Sequence, residues 1–349
     1  MRVSSNNEFF VLPIPVSVYF VLSDHRNQYM SNLKGILAAM CTPMDNHGKA
    51  IDMGVYRAHI DEMISAGLHG VVLGSGTGEY AYLTQSEKRE LISEGVRHVS
   101  KKIPTVAQVT ELSTQEVIDG ALFAQDEGVD AIMIMPPYLE PPNERGVMYH
   151  YTAVAKAVSI PIVMYNVPAQ AAPLTEDLYR KLIAVENLDY VKDSSGDIAG
   201  IQKLIAIGGK VLNGADPYAP YSLMAGSVGM IWGAANFMPN ECVELYNLID
   251  QGKLNEAMEL WDCMKAICLW LWGNRHDIDY LTGVKAATRL TGREMGGTRK
   301  PLPPVPSAAR HDIRLALSKL PVNRTKTDRL VWRDWQEERD WLIQSTKNN

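Results

Sequence analysis

A lysine at the end of a run that should be buried is a costly placement, and Lys192 in DYVKD is such a residue. Burial disfavours the ammonium form and so supplies the free amine that a carbonyl compound needs to form an imine. The competing reading is a lysine solvated at the rim. Tyr165 ends a neighbouring apolar run, PIVMYN. A phenol there is either a core tyrosine or a proton carrier beside the amine. A third segment, GSGTGEY (74–80), combines small residues, exposed backbone N–H groups and the hydroxyl of Thr77. Such a turn suits a carboxylate, although many glycine turns are only turns.

The elements needed to position these groups are legible as alternating patterns. Strand candidates are GILAAMC (35–41), GVVLG (70–74), TVAQV (105–109), AIMIM (131–135), PIVMYN (161–166), DYVKD (189–193), KVLNG (210–214) and GMIWG (229–233). Most are continuous apolar runs, as expected of parallel strands buried on both faces. Stretches of helical period separate them; residues 53–66 carry Met53, Val55, Ile60, Met63 and Ile64 on one face. Thr84 or Ser86, Ser113 or Thr114, and Thr175 are candidate N-caps. Strand and helix repeated eight times predict an α/β fold, a (β/α)8 barrel of the TIM type, with an open doubly wound sheet as the rival. No glycine-rich dinucleotide fingerprint follows the first strand, which weakens the rival. In a barrel the chemistry gathers at the C-terminal ends of the strands, where all three segments fall.

The remaining sequence is organised around that barrel. Residues 33–240 are the catalytic barrel, 1–32 an N-terminal extension and 241–349 a C-terminal helical region. Helices are expected over 241–272, 277–291 and 307–319, and PLPPVP (301–306) is rigid punctuation. The tail TDRLVWRDWQEERDWLIQ (327–344) reads as a helix whose Trp332, Trp335 and Trp341 pack rather than cage a ligand. The apolar run 9–22 is broken by Pro13 and Pro15 and is shorter than the roughly 20 residues a membrane helix needs. A signal peptide would need a small-residue cleavage site, and SDHRNQYM follows instead. Translation from Met30 is the alternative to a surface extension.

Composition narrows the class. The 349 residues are 46% hydrophobic, enough for a large core, and a single α/β barrel accommodates roughly 250 residues or more. The net charge of −6, without a long basic run, argues against nucleic acid as a partner. Cys41, Cys242, Cys263 and Cys268 form no CxxC pair, and no histidine cluster has zinc spacing. They read as reduced thiols of a cytoplasmic protein.

GTGE after strand two, YNVP after strand five and KDSSGD after strand six resemble the dihydrodipicolinate synthase / N-acetylneuraminate lyase family. GILAAMCTPMD, PPY (136–138) and NGAD (213–216) are similar too, so the resemblance covers roughly residues 33–320. It implies a lyase, an aldolase or dehydratase acting on pyruvate, another 2-keto acid or a deoxy sugar acid. No metal or organic cofactor is then required, and the resemblance suggests a homotetramer made from dimers. By this resemblance Lys192 forms the imine, Tyr165 moves protons, and Thr77 with the backbone around Gly76 and Gly78 holds a carboxylate. Thr42 stands close to the pocket, while Gly214 and Ile231 line it.

Four positions depart from the family pattern. Gly76 replaces the first of two adjacent hydroxyl residues, and Leu139 follows Tyr138 where the synthases have a second, relay tyrosine. Gln170 stands where the synthases place an arginine for an acidic aldehyde, and Trp232 is bulky where many relatives are small. Gln170 suits a hydroxyl or neutral carbonyl better than a carboxylate. Asp216 is expected either to accept from substrate hydroxyls or to serve as a structural cap. These features favour a hydroxylated substrate. The alternatives are 4-hydroxy-tetrahydrodipicolinate synthase activity and a non-catalytic keto-acid-binding protein.

Overall fold

The computed structural model describes residues 32–188, 190–273 and 278–321. Eight strands are present: β1 (Gly35–Ala39), β2 (Gly70–Leu73), β3 (Thr105–Gln108), β4 (Ala131–Ile134), β5 (Ile162–Asn166), β6 (Tyr190–Asp193), β7 (Lys210–Asn213) and β8 (Gly229–Trp232). Each pairs in parallel with the next, and β8 pairs with β1 to close the barrel. The expected fold class holds, and the strands coincide with the apolar runs to within about a residue or two at each end. Both faces of these strands are buried because the helices cover the outside while side chains fill the inside.

The barrel helices are α1 (Met53–Ser65), α2 (Gln85–Val99), α3 (Thr114–Glu127), α4 (Glu144–Ala157), α5 (Glu176–Leu182), α6 (Ile198–Ala206) and α7 (Ala219–Met224). Their starts are set by side-chain caps. Thr84 forms a reciprocal capping box with Glu87, Ser113 accepts from the Glu116 amide, and Thr175 accepts from the Leu178 amide. Of the paired candidates, Thr84 and Ser113 are the caps.

After the barrel come α8 (Pro239–Asp250), α9 (Leu254–Trp272), α10 (Tyr280–Leu290) and α11 (Ser307–Leu317). The single helix expected over 241–272 is therefore two. The break falls at Gly252, whose φ of +73° suits a residue without a side chain. Among the described residues no helix is long and apolar enough to cross a membrane. The expectations for the apolar run 9–22 and the tryptophan-rich tail lie outside the described residues.

Strand alternation sorts the core into two layers. Leu37, Val72, Val163, Tyr190, Leu212 and Ile231 belong to a cluster inside the barrel, whereas Val191, Met230 and Trp232 join the larger cluster beneath the helices. The Tyr190 hydroxyl accepts from the Leu33 amide at 3.1 Å, tying the chain before β1 to the interior. Lys192 lies two residues beyond Tyr190 on the same strand, hence on the same inward face.

Candidate active site

Lys192 and Tyr165 are direct partners in the β5–β6 register. Both project inward, and the lysine Nζ lies 4.1 Å from the centre of the tyrosine ring. The nitrogen sits over the face of the ring. Lys192 is only 6% exposed. Room for it depends on Gly214 at the end of β7: a Cβ there would stand 2.7 Å from Lys192 Cε and would also collide with Ser194 Oγ.

The next residue on each strand points the other way and fixes the pair. Asn166 Nδ2 donates to Asp193 Oδ2 at 2.6 Å, and Asn166 Oδ1 accepts from the Leu174 amide at 3.0 Å. Asp193 Oδ1 accepts from the Ser195 amide at 3.0 Å and hydroxyl at 2.6 Å. A slip of one residue would turn Lys192 out of the barrel, and this cross-brace opposes it.

The GTGE turn faces the site from β2. Its amides are not all open, as the sequence had suggested. Gly76 N–H donates to Gln108 Oε1 at 3.0 Å, Gly78 N–H to the Ser75 carbonyl at 2.9 Å, and Glu79 N–H to the Gly76 carbonyl at 2.9 Å. Thr77 is the member of the turn whose amide and hydroxyl no protein group engages among the described residues. Gly78 must be a glycine, since a Cβ would lie 2.6 Å from the Met40 carbonyl oxygen. Thr42 is buried, and its hydroxyl donates to the Gly78 carbonyl at 2.7 Å and braces the turn.

Other expected residues fall in different settings. Ile231 is in the interior layer, level in register with Leu37. Gln170 is exposed in the loop after β5. Tyr138 is partly exposed, and burial and the carboxylates of Glu111 and Glu116 raise its hydroxyl pKa. Asp216 is fully buried, and the Tyr280 hydroxyl approaches its two oxygens at 2.9 and 3.1 Å. The carboxylate is engaged by the Tyr280 hydroxyl and caps no helix, so the expected cap is not formed. Burial pushes its carboxyl pKa up to about 7, against the lowering effect of Tyr280, Trp232 and Lys192.

Known proteins place this arrangement. Residues 32–320 match the model of the Dihydrodipicolinate synthetase family. The chain belongs to this family. A 4-hydroxy-tetrahydrodipicolinate synthase of Methanopyrus kandleri is 31% identical over 293 residues, 82% of this chain and 96% of its own. That of Bartonella bacilliformis is 32% identical, over 82% and 97%. Among solved structures, a pyruvate-bound dihydrodipicolinate synthase of Acinetobacter baumannii superposes with a TM-score of 0.77 at 28% identity, covering 82% of this chain and 99% of its own. One from Bacillus anthracis gives 0.78 at 28% identity, over 84% and 100%. The resemblance drawn from GTGE, YNVP and KDSSGD thus holds, and the chain is a Schiff-base lyase of the dihydrodipicolinate synthetase family.

Within the family pattern the departures now have physical content. Nothing crowds a Cβ at Gly76, so sterics do not demand the missing side chain there. Trp232 faces the helical layer, not the interior, so its bulk does not narrow the pocket. Its indole N–H lies near Asp216 without reaching hydrogen-bond geometry. Leu139 is strongly exposed.

Four contributors were missed in the sequence. Gln108 had a signal, a lone amide inside the apolar run TVAQV. Ser194 had one in KDSSGD; its hydroxyl is buried beside Gly214 without a protein partner among the described residues. Tyr280 and Lys285 had none beyond their presence in a small-residue helix.

Proposed function

We propose that this protein captures a pyruvate-type 2-keto acid as an imine on Lys192 and uses it for C–C cleavage or dehydration. The carrying observation is the buried Lys192 held against Tyr165 in the space that Gly214 keeps open. The lysine nitrogen adds to the keto carbon and water leaves. The resulting protonated imine withdraws electrons from the adjacent carbon as a C–C bond breaks or an α-proton departs. Tyr165 moves the protons, and the Thr77 amide and hydroxyl receive the carboxylate.

The favoured substrate is hydroxylated, a 4-hydroxy-2-keto acid or a deoxy sugar acid. Gln170 carries no charge to pair with an acidic aldehyde, and Leu139 replaces the relay tyrosine. Condensation of pyruvate with aspartate semialdehyde is the second reading, favoured by the names of relatives that match over 82% of the chain. Four free cysteines suit a reducing cytoplasm. We infer a homotetramer, a dimer of dimers, from the family resemblance.

Borohydride added with pyruvate should fix a reduced adduct on the peptide carrying Lys192. Lys192→Ala should lose both adduct and turnover, and an adduct persisting in that variant would overturn the assignment. The same preparation, assayed with hydroxylated keto acids and with aspartate semialdehyde, separates the two substrate readings. Efficient condensation with the hydroxylated acids inert would select the second.

A further inference from the structure

Glu79 closes the GTGE sequence, and the imine chemistry makes no use of it. It is nevertheless 1% exposed, and its backbone lies in the left-handed region at φ +67°. A buried carboxylate on a disfavoured backbone persists only where its surroundings over-determine it. Its partners come from far along the chain. Lys285 of α10, itself 2% exposed, places Nζ 2.7 Å from Glu79 Oε1. The Arg299 amide donates to Oε2 at 2.7 Å. Lys285 Nζ donates further to the Gly297 carbonyl.

The segment supplying these donors is itself clamped. A Cβ on Gly297 would stand 2.7 Å from the Asn46 carbonyl oxygen, so the chain runs hard against the loop after β1. The Arg299 guanidinium donates to the Gly48 carbonyl at 2.7 Å and to the Glu87 carboxylate at 2.7 Å. The GTGE turn thus has three tethers. Gln108 of β3 holds Gly76, Thr42 after β1 holds Gly78, and the C-terminal segment holds Glu79. Thr77, with its amide and hydroxyl open, lies between them.

We propose that Glu79 and Lys285 are positioning residues for carboxylate capture, fixing the turn so that Thr77 faces the substrate. The C-terminal region then completes the binding site in addition to covering the barrel. This rests on the reading of Thr77 as the carboxylate seat. A buried ion pair kept for stability alone is replaceable by uncharged groups of similar shape, whereas one that positions a neighbour is not.

The test uses the full chain and the double variant Glu79→Gln/Lys285→Met, which leaves neither charge unpaired. Borohydride trapping on Lys192 is titrated with pyruvate and, separately, with hydroxyacetone, a ketone lacking the carboxylate. Urea unfolding confirms a folded protein. The half-saturating pyruvate concentration should rise about 10- to 100-fold, the scale of a small misplacement of a binding group. That for hydroxyacetone should stay where it is. Unchanged pyruvate trapping in the folded variant overturns the proposal, and so does an equal rise for both ketones, which marks general distortion. If the double variant does not fold, Glu79→Gln alone, which keeps the shape and an acceptor for Arg299, is read by the same criteria. Wild-type protein that neither ketone labels would instead remove the imine reading itself.

Discussion

Glu79 and Asp216 are two carboxylates buried to the same degree at the same end of the barrel, and helix α10 supplies a partner to each. The partners differ in charge. Glu79 meets the ammonium of Lys285 and a backbone amide, a charge-compensated cluster with both oxygens engaged. Asp216 meets the neutral hydroxyl of Tyr280, and Lys192 acts on it only through its field. Burial therefore raises the Asp216 carboxyl to about 7. At equal depth the two carboxylates differ in the charge of the donor they meet. One carboxylate meets an opposite charge, and the other stands ready to change protonation near neutrality.

The comparison breaks most visibly if Lys285 is removed alone. Lys285→Met leaves Glu79 buried without its cation and should cost about 3–5 kcal/mol of stability in urea unfolding. Adding Glu79→Gln should recover much of that loss. A single variant as stable as wild type would mean that Glu79 is not an ion-pair member, and the contrast would collapse.

The pH dependence of stability sharpens the other half. Asp216 moves from an ordinary 3.8 to about 7, so the folded protein holds its proton more tightly than the unfolded chain does. Its contribution is fully present below the ordinary value and is lost as pH rises through the folded one. Relative to Asp216→Asn, wild type should lose stability on the order of a few kcal/mol across that window. A flat difference between the two curves would place Asp216 among ordinary carboxylates.

The smallest effect is expected at Tyr280. Tyr280→Phe removes the donor but keeps the ring, and should cost about 1–3 kcal/mol. It should also shift the Asp216 transition to higher pH, because a donor to the ionised form is gone. A shift to lower pH would show that the hydroxyl accepts from a protonated Asp216 instead.

Legibility followed the range of the interactions. Lys192 and Tyr165 were found because inward strand residues on consecutive strands meet wherever the register is right, and apolar runs reveal that register. The helix starts at Thr84, Ser113 and Thr175 were found because a cap bonds within its own turn. The break between α8 and α9 was missed although Gly252 marks it, because an uninterrupted helical period on both sides hides a short turn. Asp216 was left between two readings because a sequence position after a strand does not say which way the next side chain turns.

The sequence by itself determined the eight strands, the (β/α)8 order and the placing of Lys192 beside Tyr165 on neighbouring strands. Each follows from a period, a cap or a residue type that acts over a few positions. Only the tertiary structure decided which groups complete the site. Lys285 lies 206 residues from Glu79, and Tyr280 lies 64 from Asp216. Nothing local in α10 distinguishes a lysine bound for a buried carboxylate from one bound for water. Closure of the barrel and the path of the chain after it make that choice, because they fix which side chains share a volume from which water is excluded.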